Sequence, residues 1–212
     1  MKLQTIYNEL TSVYNAMESR NDGIFKLLES IKESIKLETV KESNQKDRYK
    51  AANLVLKNKA SKSRPILQKA YIRDGYQLFT DSFAAFKLLN HIPELDTNEP
   101  EASYPNMETL FNIAIQGDET VSLHVETLKR ELKVSGSQIA IELLNGIKAF
   151  FESKYIKIAI DILELKNDEF LKLRYRPSKN NGFANVSTFY CNHNGDEVLL
   201  LPLRKDSVDD VL

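Results

Sequence analysis

The residues of this chain whose types and spacing could do chemistry are chiefly cations. Between Lys41 and Lys69 stand nine Lys and Arg (Lys41, Lys46, Arg48, Lys50, Lys57, Lys59, Lys62, Arg64 and Lys69) against two acids, Glu42 and Asp47, a net of +7 over 29 residues. A solvated helix face usually mixes both signs of charge, and this one hardly does. Cations at this density release counterions when they meet a polyanion, so phosphate-backbone contact is the chemistry they offer, beside the plainer role of keeping a surface soluble. A second, weaker pair is Lys154 and Lys157, which share their stretch with Glu152, Asp161 and Glu164.

Other chemistry is sparse. His91, His124 and His193 are scattered, and none stands four residues from another or in a Cys/His cluster, so no metal is expected. Cys191 and His193 fall on the same side of a strand beside a turn, where a packed cysteine is the plainer reading than a nucleophile with its base. No glycine-rich phosphate loop occurs, and the plentiful carboxylates are not paired by any spacing. The expectation is a protein that is not an enzyme and carries no cofactor.

Elements able to position the cations follow from periodicity. Tyr49, Ala52, Val55 and Leu56 form the inward side of a helix over 46–59, which 61–65 ends. Ile156, Ile160 and Leu163 do the same for a helix over 152–165. Strands are expected after each. Residues 66–73, 76–80 and 83–89 are separated by Asp74-Gly75 and Asp81-Ser82, and Asp-Gly between apolar alternations is a strong hairpin signal. Residues 170–176 alternate apolar and charged, 177–182 turn, and 186–191 and 197–203 flank a turn at His193, Asn194 and Gly195. Helix then three strands thus occurs twice, as two diverged copies of one unit.

The remaining segments frame these. Leu3, Ile6, Tyr7, Leu10, Val13, Tyr14 and Met17, then Ile24, Leu27, Leu28, Ile31 and Ile35, predict a helical hairpin over 1–40 broken at 20–23. It packs on its own domain or serves self-association. Residues 91–119 hold seven acids, three prolines and no Lys or Arg, and read as an extended linker. Residues 120–134 fit helix or strand, 138–151 fit a buried strand or a hairpin around Asn145-Gly146, and the tail after Arg204 is polar.

Bulk properties fit a soluble protein with one good core or two small ones in 212 residues, 42% hydrophobic and 28% charged, with formal net charge −1. A lone cysteine excludes an internal disulfide and fits a reducing compartment. No apolar run approaches the roughly 20 residues of a membrane span, and the start lacks a signal peptide's apolar core. A cytoplasmic protein without membrane contact is expected.

Three stretches, in order, resemble the bacterial DNA sliding clamp, the processivity factor of replicative polymerases. Ser63, Arg64, Pro65, Ile66 and Leu67 with Leu78, Phe79, Thr80, Asp81 and Ser82 stand where clamps carry a helix-following "R-P-x-L" and an "A-T-D-G-H-R". The sequence departs after Asp81, where Ser82, Phe83 and Ala84 replace Gly-His-Arg. Tyr104, Pro105, Asn106 and Met107 stand where clamps carry "F-P-D-Y". Phe151, Tyr155, Ile156 and Ile160, followed by Leu200, Leu201, Pro202, Leu203 and Arg204, match the closing helix and the terminal "V-M-P-M-R-L".

The resemblance implies an α+β, clamp-like domain built from two helix-plus-antiparallel-strand units behind the N-terminal hairpin, with segments 1–40, 41–110 and 111–212. Lys46, Arg48, Lys50, Lys57, Lys59, Lys154 and Lys157 would then touch DNA phosphates by charge alone. Thr80, Pro105, Leu110, Leu200, Leu201, Pro202, Leu203 and Arg204 would form a pocket for a partner's short apolar peptide. Clamps hold three such domains per chain and this sequence has room for one or two, so a homo-oligomer with more subunits, or a phage or mobile-element protein using the domain for replication, is expected. Alternatives of other kinds are a nucleic-acid-binding regulator built on the basic helix and an assembly module built on residues 1–40.

Overall fold

Leu171, Leu173 and Tyr175 are buried while Phe170, Lys172 and Arg174 are exposed, so the alternation over 170–175 is that of a strand with one covered face. The computed structural model describes residues 8, 10–11, 22–95, 97, 104–144, 146, 148–176 and 188–203. Its helices are α1 (Asp22–Glu42), α2 (Lys46–Leu56), the short α3 (Lys59–Ser63), α4 (Met107–Ala114), α5 (Val125–Val134) and α6 (Ser153–Ile162). The strands are β1 (Tyr71–Arg73), β2 (Tyr76–Thr80), β3 (Ala84–Leu88), β4 (Glu119–His124), β5 (Gln138–Glu142), β6 (Lys148–Glu152), β7 (Phe170–Tyr175), β8 (Phe189–His193) and β9 (Asp196–Leu200).

Seven strands form one antiparallel sheet in the order β1-β2-β3-β9-β8-β7-β4, and β5 and β6 make a separate hairpin. The class is therefore α+β, as the sequence implied. The centre of the sheet is the pairing of β3 with β9, in register Phe86 to Val198. From that seam the order runs outward as β2-β1 on one side and β8-β7 on the other.

Side-chain alternation then sorts the sheet's two faces. Phe79, Phe86, Phe189, Val198 and Leu173 point to the side covered by α2, α6 and α5, where Tyr49, Val55, Ile156, Ile160 and Leu128 complete the larger core. Phe79 stacks on Phe86 at 4.8 Å between centroids, and Phe151 meets Phe189 edge-on at 4.9 Å. Such pairs add about 0.5–1.5 kcal/mol each beyond the area they bury. Leu78, Ala85, Tyr190 and Leu199 point the other way and are covered by Met107, Phe111 and Ala114 of α4.

That covering helix corrects the expected linker. Residues 107–114 fold because Met107, Phe111 and Ala114 recur at one helical face and Asn106 caps the start, its side chain accepting from Thr109 N–H at 3.2 Å. Acidity and three prolines in 91–119 masked this short apolar period. One boundary moves and two open stretches are resolved. Pro65 starts a 3₁₀ turn over Pro65–Gln68, so the first strand begins at Tyr71 rather than at residue 66. The ambiguous stretch 120–134 is both elements in succession, β4 and then α5. β5 and β6 pair antiparallel, the second of the two readings of 138–151.

Turn chemistry works as the sequence indicates. Asp74 and Gly75 have φ of 51° and 79°, and Asn194 and Gly195 have φ of 52° and 86°. Successive left-handed residues are what a two-residue turn needs to match the twist of its strands. Of the expected N-terminal hairpin, most of residues 1–21 lie outside the described residues, as does the turn at 177–182; α1 is continuous over Asp22–Glu42.

Candidate functional site

α2 buries one side and exposes the other. Tyr49, Ala51, Ala52, Val55 and Leu56 are in the core, while Lys50 and Lys57 are exposed and Lys46 is half-buried at the first turn. Lys57 Nζ lies 3.8 Å from Glu33 Oε1 of α1, both largely solvated, a contact worth little in water. Lys59 opens α3, and its side chain lies outside the described residues.

Arg48 does not belong with these cations. It is 1% exposed, the most voluminous wholly buried side chain of the protein's described part. Its Nη2 donates to Asp196 Oδ2 at 2.8 Å and to the Asn90 carbonyl at 2.8 Å, and its Nη1 donates to Gln45 Oε1 at 3.3 Å. A guanidinium so enclosed cannot reach a phosphate outside. Its place three residues into the helix put it on the inward face, and charge alone concealed that from the sequence.

α6 packs beside α2 on the same face of the sheet. Lys154 and Lys157 are exposed on its outer side. Lys154 Nζ pairs with Glu152 Oε2 at 2.6 Å and lies 4.6 Å from the centre of the Tyr155 ring. Asp161 is half-buried further along. Burial raises its pKa above the usual carboxylate value, Lys157 and Lys129 pull it down, and Asp47 of α2 pushes it up.

The network beneath these helices was invisible to spacing. Asp81, 0% exposed, accepts at Oδ1 from the backbone N–H of Phe83 (2.9 Å) and Ala84 (3.0 Å), and at Oδ2 from the Tyr155 hydroxyl (2.7 Å) and the Asn58 amide. Burial, then the bond to Asp81, pushes the Tyr155 phenol far up. Tyr155 is the third residue of α6 and reaches the β2–β3 turn. Arg48 is the third residue of α2 and reaches the first residue of β9.

Of the eight residues expected to line a peptide pocket, Leu200 and Thr80 face opposite sides of the sheet. Leu200 is wholly buried on the helix side. Thr80, by strand alternation with Leu78, faces the α4 side, and its Oγ1 donates to the Ala84 carbonyl at 2.7 Å. Pro105 is half-buried before α4, and Leu110 of α4 is exposed. Leu201, Pro202 and Leu203 run off β9. The Leu201 N–H donates to the Phe83 carbonyl (3.0 Å) and the Leu203 N–H to the Phe150 carbonyl (2.7 Å), so this segment bridges the large sheet to the β5–β6 hairpin. Arg204 lies outside the described residues.

Residues of possible catalytic type stand apart. Cys191 is buried and its thiol is pushed up to about 11 by burial, opposite to what activates a nucleophile. His91 Nε2 meets the Gly75 carbonyl at 2.9 Å, His124 rests edge-on against Phe170, and His193 Nε2 lies 3.8 Å from Glu169. Among the described residues no group of three His, Cys, Asp or Glu is placed to hold a metal ion, and no helix is long and apolar enough to cross a membrane.

No protein-family model matches the chain, and neither does any curated protein. Among solved structures it is similar to the Helicobacter pylori beta clamp bound to a DNA ligase peptide, with a TM-score of 0.35 and 14% identity over 61% of this chain. The chain spans 41% of that chain's length.

Proposed function

We propose that this protein is a non-enzymatic, DNA-clamp-like replication accessory factor that holds DNA by its phosphate backbone and engages partner proteins through short apolar peptides. The observation that carries the reading is the arrangement of the helix face. Two adjacent helices lie on one side of an antiparallel sheet, each leads into three strands, and the two sets meet at the β3–β9 seam. Each helix directs lysines outward: Lys50 and Lys57 from α2 and its end, Lys154 and Lys157 from α6. Lysines so placed hold a polyanion by charge without reading bases.

Binding of the full-length protein to a 30-base-pair duplex, followed by fluorescence anisotropy over a salt series, tests this. Affinity should fall steeply with salt, with a log–log slope reaching about −3 to −4 for four phosphate contacts. The variant Lys50→Gln/Lys57→Gln/Lys154→Gln/Lys157→Gln should lose most of that slope. Retention on circular but not short linear DNA, by a symmetric oligomer, would support encirclement. A monomer that binds neither would end the clamp reading.

The alternative of an assembly module is favoured by one observation. In α1, Lys36 and Val40 of the later turns are buried, while Ile31 upstream is exposed. Ile31→Asp should then weaken self-association in sedimentation without lowering the melting temperature; an unchanged profile removes that role.

A further inference from the structure

A groove between α5 and α6 encloses about 450 Å³. That is within the range of small-ligand sites, large enough for a sugar-phosphate unit. Its rim carries four cations from two helices: Lys129, Arg130 and Lys133 on α5, and Lys157 on α6. Lys129 and Lys133 are one turn apart and so share a face of α5. Two acids, Glu126 and Asp161, oppose them.

The cations differ in how far they are committed. Lys129 Nζ is steadied by Asn167 Oδ1 at 2.9 Å, and among the described residues Arg130 has one long contact, of 3.4 Å to Thr127. Lys133 and Lys157 make no salt bridge or hydrogen bond among the described residues, although Lys157 acts electrostatically on Asp161. Their charge is therefore available to a ligand. Asp161 also senses Asp47 of α2, so the groove lies near that helix.

We propose that this groove seats a phosphodiester of a bound nucleic acid, with Lys129, Arg130, Lys133 and Lys157 as its contacts. The inference extends the proposed DNA-binding role to a third helix. Two flexible ammonium groups, a guanidinium and a fourth cation approach one opening from both walls, so a phosphate between them meets positive charge on two sides. Asp161→Asn removes one of the two opposing charges without altering the cations.

The test uses the full-length protein and the same 30-base-pair duplex. Lys129→Gln/Arg130→Gln/Lys133→Gln should weaken binding about 10-fold or more at moderate salt and make the log–log salt slope shallower by about two to three. Asp161→Asn should tighten binding several-fold. Thermal melting of both variants reports folding. If the α5 variant melts like wild type and binds with unchanged affinity and slope, while Lys50→Gln/Lys57→Gln weakens binding, the groove proposal is overturned and the DNA-binding role stands. Weakened binding with an unchanged slope also overturns it, because no phosphate contact has then been lost. Wild-type protein that binds neither the duplex nor circular DNA overturns both.

Discussion

Arg48 Nη2 donates a 2.8 Å charge-assisted hydrogen bond to Asp196 Oδ2, and both side chains are buried. The bond joins α2, in the first half of the chain, to the first residue of the last strand, β9. Its counterpart joins Tyr155 of α6 to Asp81 of the β2–β3 turn at 2.7 Å. Each helix is thus fastened, through its third residue, to the strand set that follows the other helix.

Removing one partner of the Arg48 pair leaves a carboxylate stranded in the core. Arg48→Met should cost about 3–5 kcal/mol, read from urea denaturation. If the protein binds DNA, the still-folded variant should bind it as wild type does, because the guanidinium is enclosed. A large loss of affinity at unchanged stability would contradict its structural role.

Tyr155→Phe keeps the ring packed against Phe83, 6.0 Å away between centroids, and deletes only the hydroxyl. Asp81 retains its backbone donors and Asn58, so the expected cost is about 1.5–3 kcal/mol, the range for hydrogen bonds to charged groups. A melting curve superimposable on wild type would show the bond to be energetically idle.

Alkaline pH should unfold the protein early. Burial raises the Cys191 thiol from 9.0 to about 11, and it is also the leading cause that raises Tyr49 and Tyr190 from 10.0 to about 12. A folded value above the unfolded one means the fold keeps its proton longer, so these groups contribute stability below pH 9 that is lost as pH rises through the folded values. Cys191 accounts for the first part, between pH 9 and 11, amounting to roughly 2–3 kcal/mol. Urea midpoints should fall over that window, and Cys191→Ala should flatten the fall; an identical pH profile for the variant would refute the assignment.

Gly117 stands where the chain enters β4. A Cβ there would lie 2.9 Å from the carbonyl carbon of Tyr175 and 2.9 Å from the Arg174 side chain. Backbone cannot yield as a flexible side chain does, so Gly117→Ala should destabilise by about 1–3 kcal/mol, loosening the β4–β7 edge. Hydrogen exchange at Thr120 and Val121 should quicken; unchanged protection would mean the edge absorbs the methyl group.

Much of the architecture was legible in local pattern. The Asp74-Gly75 and Asn194-Gly195 turns, the alternation of 170–175 and the apolar sides of α2 and α6 follow from backbone sterics and period, which a single sequence carries. The helix at 107–114 is hard to read from sequence because its one-face period of Met107, Phe111 and Ala114 spans two turns only, within a proline-rich acidic stretch. β4 and α5 were blurred because a six-residue strand and a ten-residue helix abut without a turn residue between them.

Candidate contacts were less legible than elements. Lys50, Lys57, Lys154 and Lys157 face outward as expected, but Arg48 is enclosed by a carboxylate 148 positions away. Lys129, Arg130 and Lys133 share a groove with Lys157 because α5 packs beside α6, a pairing that spacing does not encode. By itself the sequence determined where charge is concentrated, which segments alternate and where the chain reverses, since those depend on near neighbours. Which cations reach solvent, which apolar residues cover which face of the sheet, and which aspartates anchor which helix were decided only by the tertiary structure. Burial and pairing of those groups depend on residues far apart in the chain, and nothing local encodes that proximity.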